Sequence, residues 1–340
     1  MTPAEEAGDL IERYFERGWT DGLPVVPPTE ASVGAMLAAG GFTGGEVLGE
    51  IPDRHTSVTA DKVAINAVLA GCLPAYMPVV AAAIKGICHP GYCYHGAAAS
   101  TGGSAVTVIV NGPVTGQLGI NAKDNLLGPG NRANATIGRA VRLVMMNAIN
   151  TRPGKLDRST LGTPGKYSLC FAENEADSPW EPLHVERGHD SSESTVTVFA
   201  SEGIIQVYNQ LSNTAEQLLL PFADAMSNLG SMNIAGQAQL VAIVAGEHCE
   251  TLRKAAWSKV QVKEYLYEHA KRSVADVKRA GRLAGPVKPG DETEWRRPVK
   301  SPEDIVVVAA GGRAGSFSAL LMGWGSAAHT RSITTPVLLP

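Results

Sequence analysis

Ala105-Val-Thr-Val-Ile-Val110 is a nearly continuous β-branched run that leads into the turn Asn111-Gly-Pro113. Apolar residues without clean alternation predict a strand buried on both faces, as in a sheet covered by helices. Downstream, Gly128-Pro-Gly-Asn-Arg-Ala-Asn-Ala-Thr-Ile-Gly-Arg-Ala-Val-Arg142 runs from a flexible turn into a helical pattern. Ile137, Val141, Val144 and Met145 share one face and anchor that helix in a core. Around these two elements helical and strand patterns alternate, so the class is α/β.

Upstream, residues 3–17 read as an amphipathic helix, Trp19–Pro28 as extended chain, and Thr29 as the cap of a helix through Leu37. Tyr167–Ala172, Thr195–Ala200, Leu240–Ala245 and Asp304–Ala309 read as strands. Asn213–Met226 and Val260–Arg279 read as helices, 283–303 as a connection, and a further helix is predicted from Ser316. The expected organisation is two α/β halves, with mixed or parallel sheets, meeting at a cleft. Residues 1–190 would carry the main site motifs, and 191–340 a Gly-rich anion loop.

The chain has 340 residues, 44% hydrophobic and 18% charged, with a net charge of −4. That supports a sizeable core and gives no basic tract for nucleic acid. Five cysteines without framework spacing point to a reducing, cytoplasmic setting. The opening Met-Thr-Pro-Ala-Glu-Glu lacks the apolar stretch of a signal peptide. Val63–Ile84 is uncharged and long enough to span a bilayer, but Asn66, Gly71, Pro74 and Pro78 interrupt it. Two buried helices fit it better, and no membrane contact is expected. The low charge fraction and many small residues favour a homo-oligomer.

Several groups carry candidate chemistry. The turn before Arg132 presents a helix N-terminus, an anion site in which Asn131, Arg132, Asn134 and Arg139 would bind a small anionic substrate. Arg142 reads as decoration of the same helix. Gly311-Gly312-Arg313 offers further N–H donors, and Asn111 and Arg187 add polar contacts. Gly246-Glu-His248-Cys249 follows a strand, where α/β sheets place ligand contacts. No nucleotide fingerprint is present. His95, entering a Gly/Ser/Thr-rich approach to the strand, is a candidate base. His184 and Glu186, two apart in an extended segment, would share a side, and Glu173 with Glu175 repeats that spacing. Cys88, His89, Cys93 and His95 form the densest set of soft ligands, for Zn or Fe, although their spacing matches no standard zinc knuckle.

Asp21-Gly-Leu-Pro-Val-Val-Pro-Pro-Thr29, Asn66–Val80, Val108-Ile-Val-Asn-Gly-Pro113, Gly130–Arg139, and Ala172-Glu-Asn-Glu175 with Trp180-Glu-Pro-Leu-His-Val-Glu-Arg187 carry a resemblance. They resemble a largely uncharacterised bacterial family associated with UGSC-motif (seleno)proteins, over most of residues 20–200. The resemblance includes His95-Gly96, leaves out Cys88 and Cys93, and brings no established activity. The chain has no U/C-G-S-C motif, so the resemblance implies that thiol or selenol chemistry lies in a partner subunit.

These residues point to an enzyme, of lyase or hydrolase type, acting on a small carboxylate-bearing metabolite by His/Glu acid–base chemistry. A metal-dependent enzyme using the Cys88–His95 cluster is one alternative. A non-catalytic binding or assembly subunit of a thiol or selenol enzyme is the other.

Overall fold

A computed structural model describes residues 2–340, and a curled, mixed seven-stranded sheet runs through its centre. In chain order, α1 (Pro3–Glu16) and α2 (Glu30–Gly40) precede the hairpin β1 (Val47–Ile51) and β2 (Thr56–Thr59). Helices α3 (Ala60–Ala70), α4 (Met77–Cys88) and the short α5 (Tyr94–Ala99) lead to β3 (Ala105–Asn111). Then come α6 (Val114–Gln117), α7 (Arg132–Asn147), β4 (Cys170–Ala172), α8 (Leu183–Glu186) and the long β5 (Thr195–Tyr208). Helices α9 (Ala215–Met226) and α10 (Asn233–Gly236) precede β6 (Leu240–Val244), α11 (Gly246–Lys254) and α12 (Lys259–His269). The chain ends with β7 (Arg272–Ser273), α13 (Val274–Arg279), β8 (Trp295–Arg296), β9 (Ile305–Ala309), β10 (Phe317–Gly323) and β11 (Ile333–Pro336).

The large sheet has the order β4-β3-β5-β10-β6-β9, with β11 beside the first residues of β5. The parallel pairs β3/β4 and β6/β9 are joined through antiparallel β5 and β10, which makes the α/β sheet mixed. Val108, Val110, Val196 and Val198 pack in one core with α3, α4 and α7. Leu240, Ala242, Val307 and Leu320 pack in another with α9, α11 and α12. On the opposite face Ile109, Phe171, Phe199, Ile243, Val308 and Leu321 form a third cluster. Both faces are therefore dry, which is why Ala105–Val110 carries apolar residues at successive positions. The sheet is continuous across position 190, because β5 contributes Val196 and Val198 to the first core and Val207 to the second.

The curl brings the C-terminal ends of the two edge strands together. Asn174 N–H donates to Ala309 O at 2.7 Å, Ala172 N–H to Asn121 O at 3.1 Å, and Gly311 N–H to Ala122 O at 2.8 Å.

Three elements differ from the sequence expectation. The pattern at Val260–Arg279 breaks after His269, and β7 then pairs with β8 inside the supposed connection 283–303. Ser273 restarts the helix by accepting from Asp276 N–H at 3.0 Å. The helix expected from Ser316 is the strand β10. Its Ala, Leu and Met residues favour helix, but Ala319–Leu321 lies between β5 and β6, and two ladders outweigh local propensity. The strand at Tyr167–Ala172 shrinks to β4, since Pro164–Lys166 forms a 3₁₀ turn just before it. Val63–Ile84 falls in α3, a 3₁₀ turn and α4, and among the described residues no helix is long and apolar enough to cross a membrane.

Candidate functional site: a cationic pocket beside α7

After α7 the chain reverses in a tight turn. Gly154, at φ +74°, donates its N–H to Asp157 O at 2.9 Å, while Asp157 N–H reaches Arg152 O at 3.1 Å. The turn brings Asp157 back against α7, where Arg142 Nη2 donates to its Oδ2 at 2.9 Å. The 3₁₀ turn then returns Lys166, whose Nζ is 2.9 Å from each Asp157 oxygen and 2.6 Å from Ser159 Oγ. Ser159 Oγ in turn lies 2.7 Å from Asp157 Oδ1 and 3.1 Å from Gly102 O. The glycine run before β3 supports this loop: a Cβ on Gly103 would stand 2.8 Å from Gly162 O.

Arg142, Asp157, Ser159 and Lys166 line a cavity of about 480 Å³, together with Met146 and Leu161. The side chains of Arg142, Asp157 and Lys166 are 10%, 4% and 14% exposed. Two cations thus share one carboxylate in a largely dry setting. Burial alone would raise the Asp157 carboxyl; the hydrogen bonds from Lys166 and Ser159 and the Lys166 charge overcome that and hold it at about 2. Burial pulls Lys166 below the usual lysine value, and the neighbouring Arg142 adds to it, against the opposing pull of Asp157. The carboxyl is thus lowered by its cationic and hydrogen-bonding partners, whereas the ammonium is lowered chiefly by burial. Charge and volume together suit a small anion that penetrates to Arg142 and Lys166.

The structure distributes the residues singled out in sequence among other tasks. Asn131 caps α7 by accepting from Asn134 N–H at 3.0 Å, and donates to Gly119 O at 2.8 Å. Arg132 donates to Gly71 O from two nitrogens. Asn134 pins Asn121 through both its backbone groups, and Arg139 forks onto Asp21 at 2.8 Å twice. These contacts tie the N-terminal part of α7 to its surroundings, with Arg132 remaining exposed. Arg142, read as decoration, is instead 9% exposed and central to the pocket. Arg187 holds Ser332 and Thr334 beside β11. Gly311 and Gly312 line a second cavity, of about 320 Å³, but the charged side chain on its lining is the carboxylate of Asp124. His248 is buried, with Nδ1 2.7 Å from Ser318 Oγ and Nε2 3.0 Å from Asn209 O, so it ties α11 to β10.

His184 and Glu186 do not share a side. They fall in the helical turn α8 rather than an extended segment. Glu186 faces Lys259 and Lys263, whose charges and hydrogen bonds outweigh burial and keep its carboxyl below the usual range. His184 turns inward, with Nδ1 3.7 Å from Glu175 Oε1. There it joins Asn111, whose Nδ2 donates to Glu173 at 2.6 Å and Glu175 at 3.0 Å. Glu173 also accepts from Leu183 N–H at 2.8 Å, and burial pushes its carboxyl up. Both His184 ring nitrogens, Asn111 Oδ1, Glu173 Oε1 and the nearby Thr195 Oγ1 are buried without a hydrogen-bond partner.

His95 is exposed on α5, in the chain before β3, whereas Asn111 is buried at the C-terminal end of that strand. The Cys88–His95 set is not brought together around a point. Cys88 packs against Gly49, His89 is exposed and accepts from Gly91 N–H at 3.1 Å, and Cys93 lies beside Gly96. Among the described residues no group of three or more His, Cys, Asp or Glu side chains is placed to hold a metal ion.

Sequence reasoning missed Asp157, Ser159 and Lys166. The visible signal was Lys155, Asp157 and Ser159 at alternate positions, with Lys166 seven residues further on, among Pro153, Gly154, Gly162 and Pro164, a stretch too irregular for any periodic template. Comparison of the chain with protein-family models, with curated proteins and with solved structures returns no match.

Proposed function

We propose that the chain is a cytoplasmic enzyme acting on a small carboxylate-bearing metabolite held in the pocket beside α7. The observation that carries this reading is the pair of buried cations, Arg142 and Lys166, which share the single carboxylate of Asp157 beside a cavity. An incoming carboxylate completes the charge balance, with the planar Arg142 guanidinium as its anchor. Asp157 positions both cations. Because Asp157 stays ionised, Lys166 rests protonated, and its lowered pKa makes it a proton donor to the bound substrate. Ser159 orients the ammonium. Proton delivery of this kind serves a lyase or a hydrolase. It transfers the acid–base role from His95, His184, Glu186 and Glu173 to the residues that line the pocket.

Calorimetric titration with a panel of carboxylates and matched amines tests the reading. Carboxylates bind the wild type, amines do not, and Arg142→Met weakens carboxylate binding at least tenfold, as loss of a charged hydrogen bond predicts. A panel in which amines and carboxylates behave alike defeats it.

A second reading, a subunit supporting thiol or selenol chemistry on a partner, draws on the cysteines. Burial pushes Cys72, Cys88 and Cys249 up to about 12 and Cys170 higher still, so these thiols are withheld from reaction. Activity appearing only in a co-purified complex would favour it.

A further inference from the structure

We infer that the pocket takes monocarboxylates with an apolar body, and that Leu161 packs against that body. The inference rests on the functional reading above and narrows its substrate class.

The charges on the lining set the number of carboxylates. Arg142 and Lys166 stand against Asp157, which leaves one positive charge uncompensated. Asp21, the other charged residue on the lining, is already matched by the two-pronged Arg139 contact. A second carboxylate on the ligand would meet no further cation and would lose its hydration without return.

Besides the hydroxyls of Ser159, Thr163 and Tyr167, the rest of the lining offers apolar surface from Met146, Pro153, Leu161 and Pro164, with glycines between. Leu161 is 96% exposed, so its apolar surface has almost no protein cover, and about half of Tyr167 is open as well. A lone exposed leucine on a convex surface means little. Leu161 differs because its backbone is fixed on both sides while its side chain borders a cavity. Thr160 N–H donates to Thr101 O at 2.9 Å, and Gly162, at φ +72°, packs against Gly103. A ligand anchored by its carboxylate at Arg142 would extend its body along Met146 and Leu161 and cover that surface.

Acetate, butanoate, hexanoate, hexanedioate and hexylamine, titrated into the wild-type protein, test this. Each added methylene tightens monocarboxylate binding about threefold to fourfold, so hexanoate exceeds acetate by on the order of a hundredfold. Hexanedioate binds more weakly than hexanoate, and hexylamine does not bind. Leu161→Ser, an exposed change that spares the core, lowers the gain per methylene. Equal affinity for acetate and hexanoate, or an unchanged gain in Leu161→Ser, overturns this inference and leaves the carboxylate site standing. Absence of binding by every carboxylate removes the functional reading itself. Sedimentation of Leu161→Ser completes the test: a change of oligomeric state with an unchanged gain assigns Leu161 to a contact between copies instead.

Discussion

The Arg142–Asp157–Lys166 group and the Asn111–Glu173–Glu175–His184 group are both buried and both rich in ionisable side chains, yet they are built in opposite ways. In the first, Asp157 accepts from Arg142, Lys166 and Ser159, and the group borders open volume. In the second, one amide serves two carboxylates and an imidazole has no hydrogen-bond partner at either nitrogen. Residue types alone rank the second group higher, because histidine beside glutamate is a familiar acid–base pair. Geometry reverses the ranking. A side chain with 0% exposure, as His184 has, meets no substrate, whereas two cations beside a cavity meet any anion that enters.

The largest effect that can break this contrast is at Asp157. Asp157→Asn leaves Arg142 and Lys166 facing each other unpaired, and should cost about 3–5 kcal/mol in urea unfolding. Adding Lys166→Met should recover part of that loss, since coupled neighbours are not additive. The wild type should also lose stability in acid. Asp157 titrates lower when folded than when unfolded, so its contribution is complete above about pH 4. It disappears as pH falls toward about 2. A flat unfolding profile over that range would contradict the pairing.

Glu173 gives the opposite pH dependence. Its folded value is raised, so its contribution is present below the unfolded carboxyl range and is lost as pH rises through the folded value. Glu173→Gln should remove that decline and make the protein the more stable form in mild alkali; equal alkaline profiles would refute it. Carboxylate binding should weaken as pH rises through the lowered Lys166 value, and Lys166→Arg should shift that loss to higher pH. Asn131→Ala should cost about 1 kcal/mol as a lost helix cap, with carboxylate affinity unchanged. Impaired affinity would restore the helix end as the anion site. Smallest of all, His184→Leu should alter stability by less than about 1 kcal/mol, because it replaces unpartnered polar atoms with apolar ones. A loss of activity there would return the chemistry to the second group.

Much of the frame was legible because it is governed by local pattern. Ala105–Val110, the two helices within Val63–Ile84, and the start of α7 after the Gly128–Gly130 turn follow from periodicity and from glycine and proline positions. What escaped depends on distant partners. β10 is a strand because β5 and β6 flank it, not because Phe317–Gly323 prefers extension. The candidate site escaped for a related reason. Arg142 and Lys166 are separated by a loop whose turns decide the geometry, and no spacing rule relates them. The glycines at 102 and 103 belong to the Gly/Ser/Thr-rich approach to β3. Their use is to let the 157–162 segment lie close enough for Ser159 to reach Gly102 O.

The length of β5 has a consequence for how the molecule comes apart. Its first residues complete the layer under α3, α4 and α7, and its last residues lie in the layer under α9, α11 and α12. Neither layer can melt without stripping half of a strand from the other, so calorimetry should record one cooperative transition. A cut or circular permutation between Ser201 and Gly203 should abolish folding of both fragments, where a cut at the expected boundary near 190 would leave β5 whole.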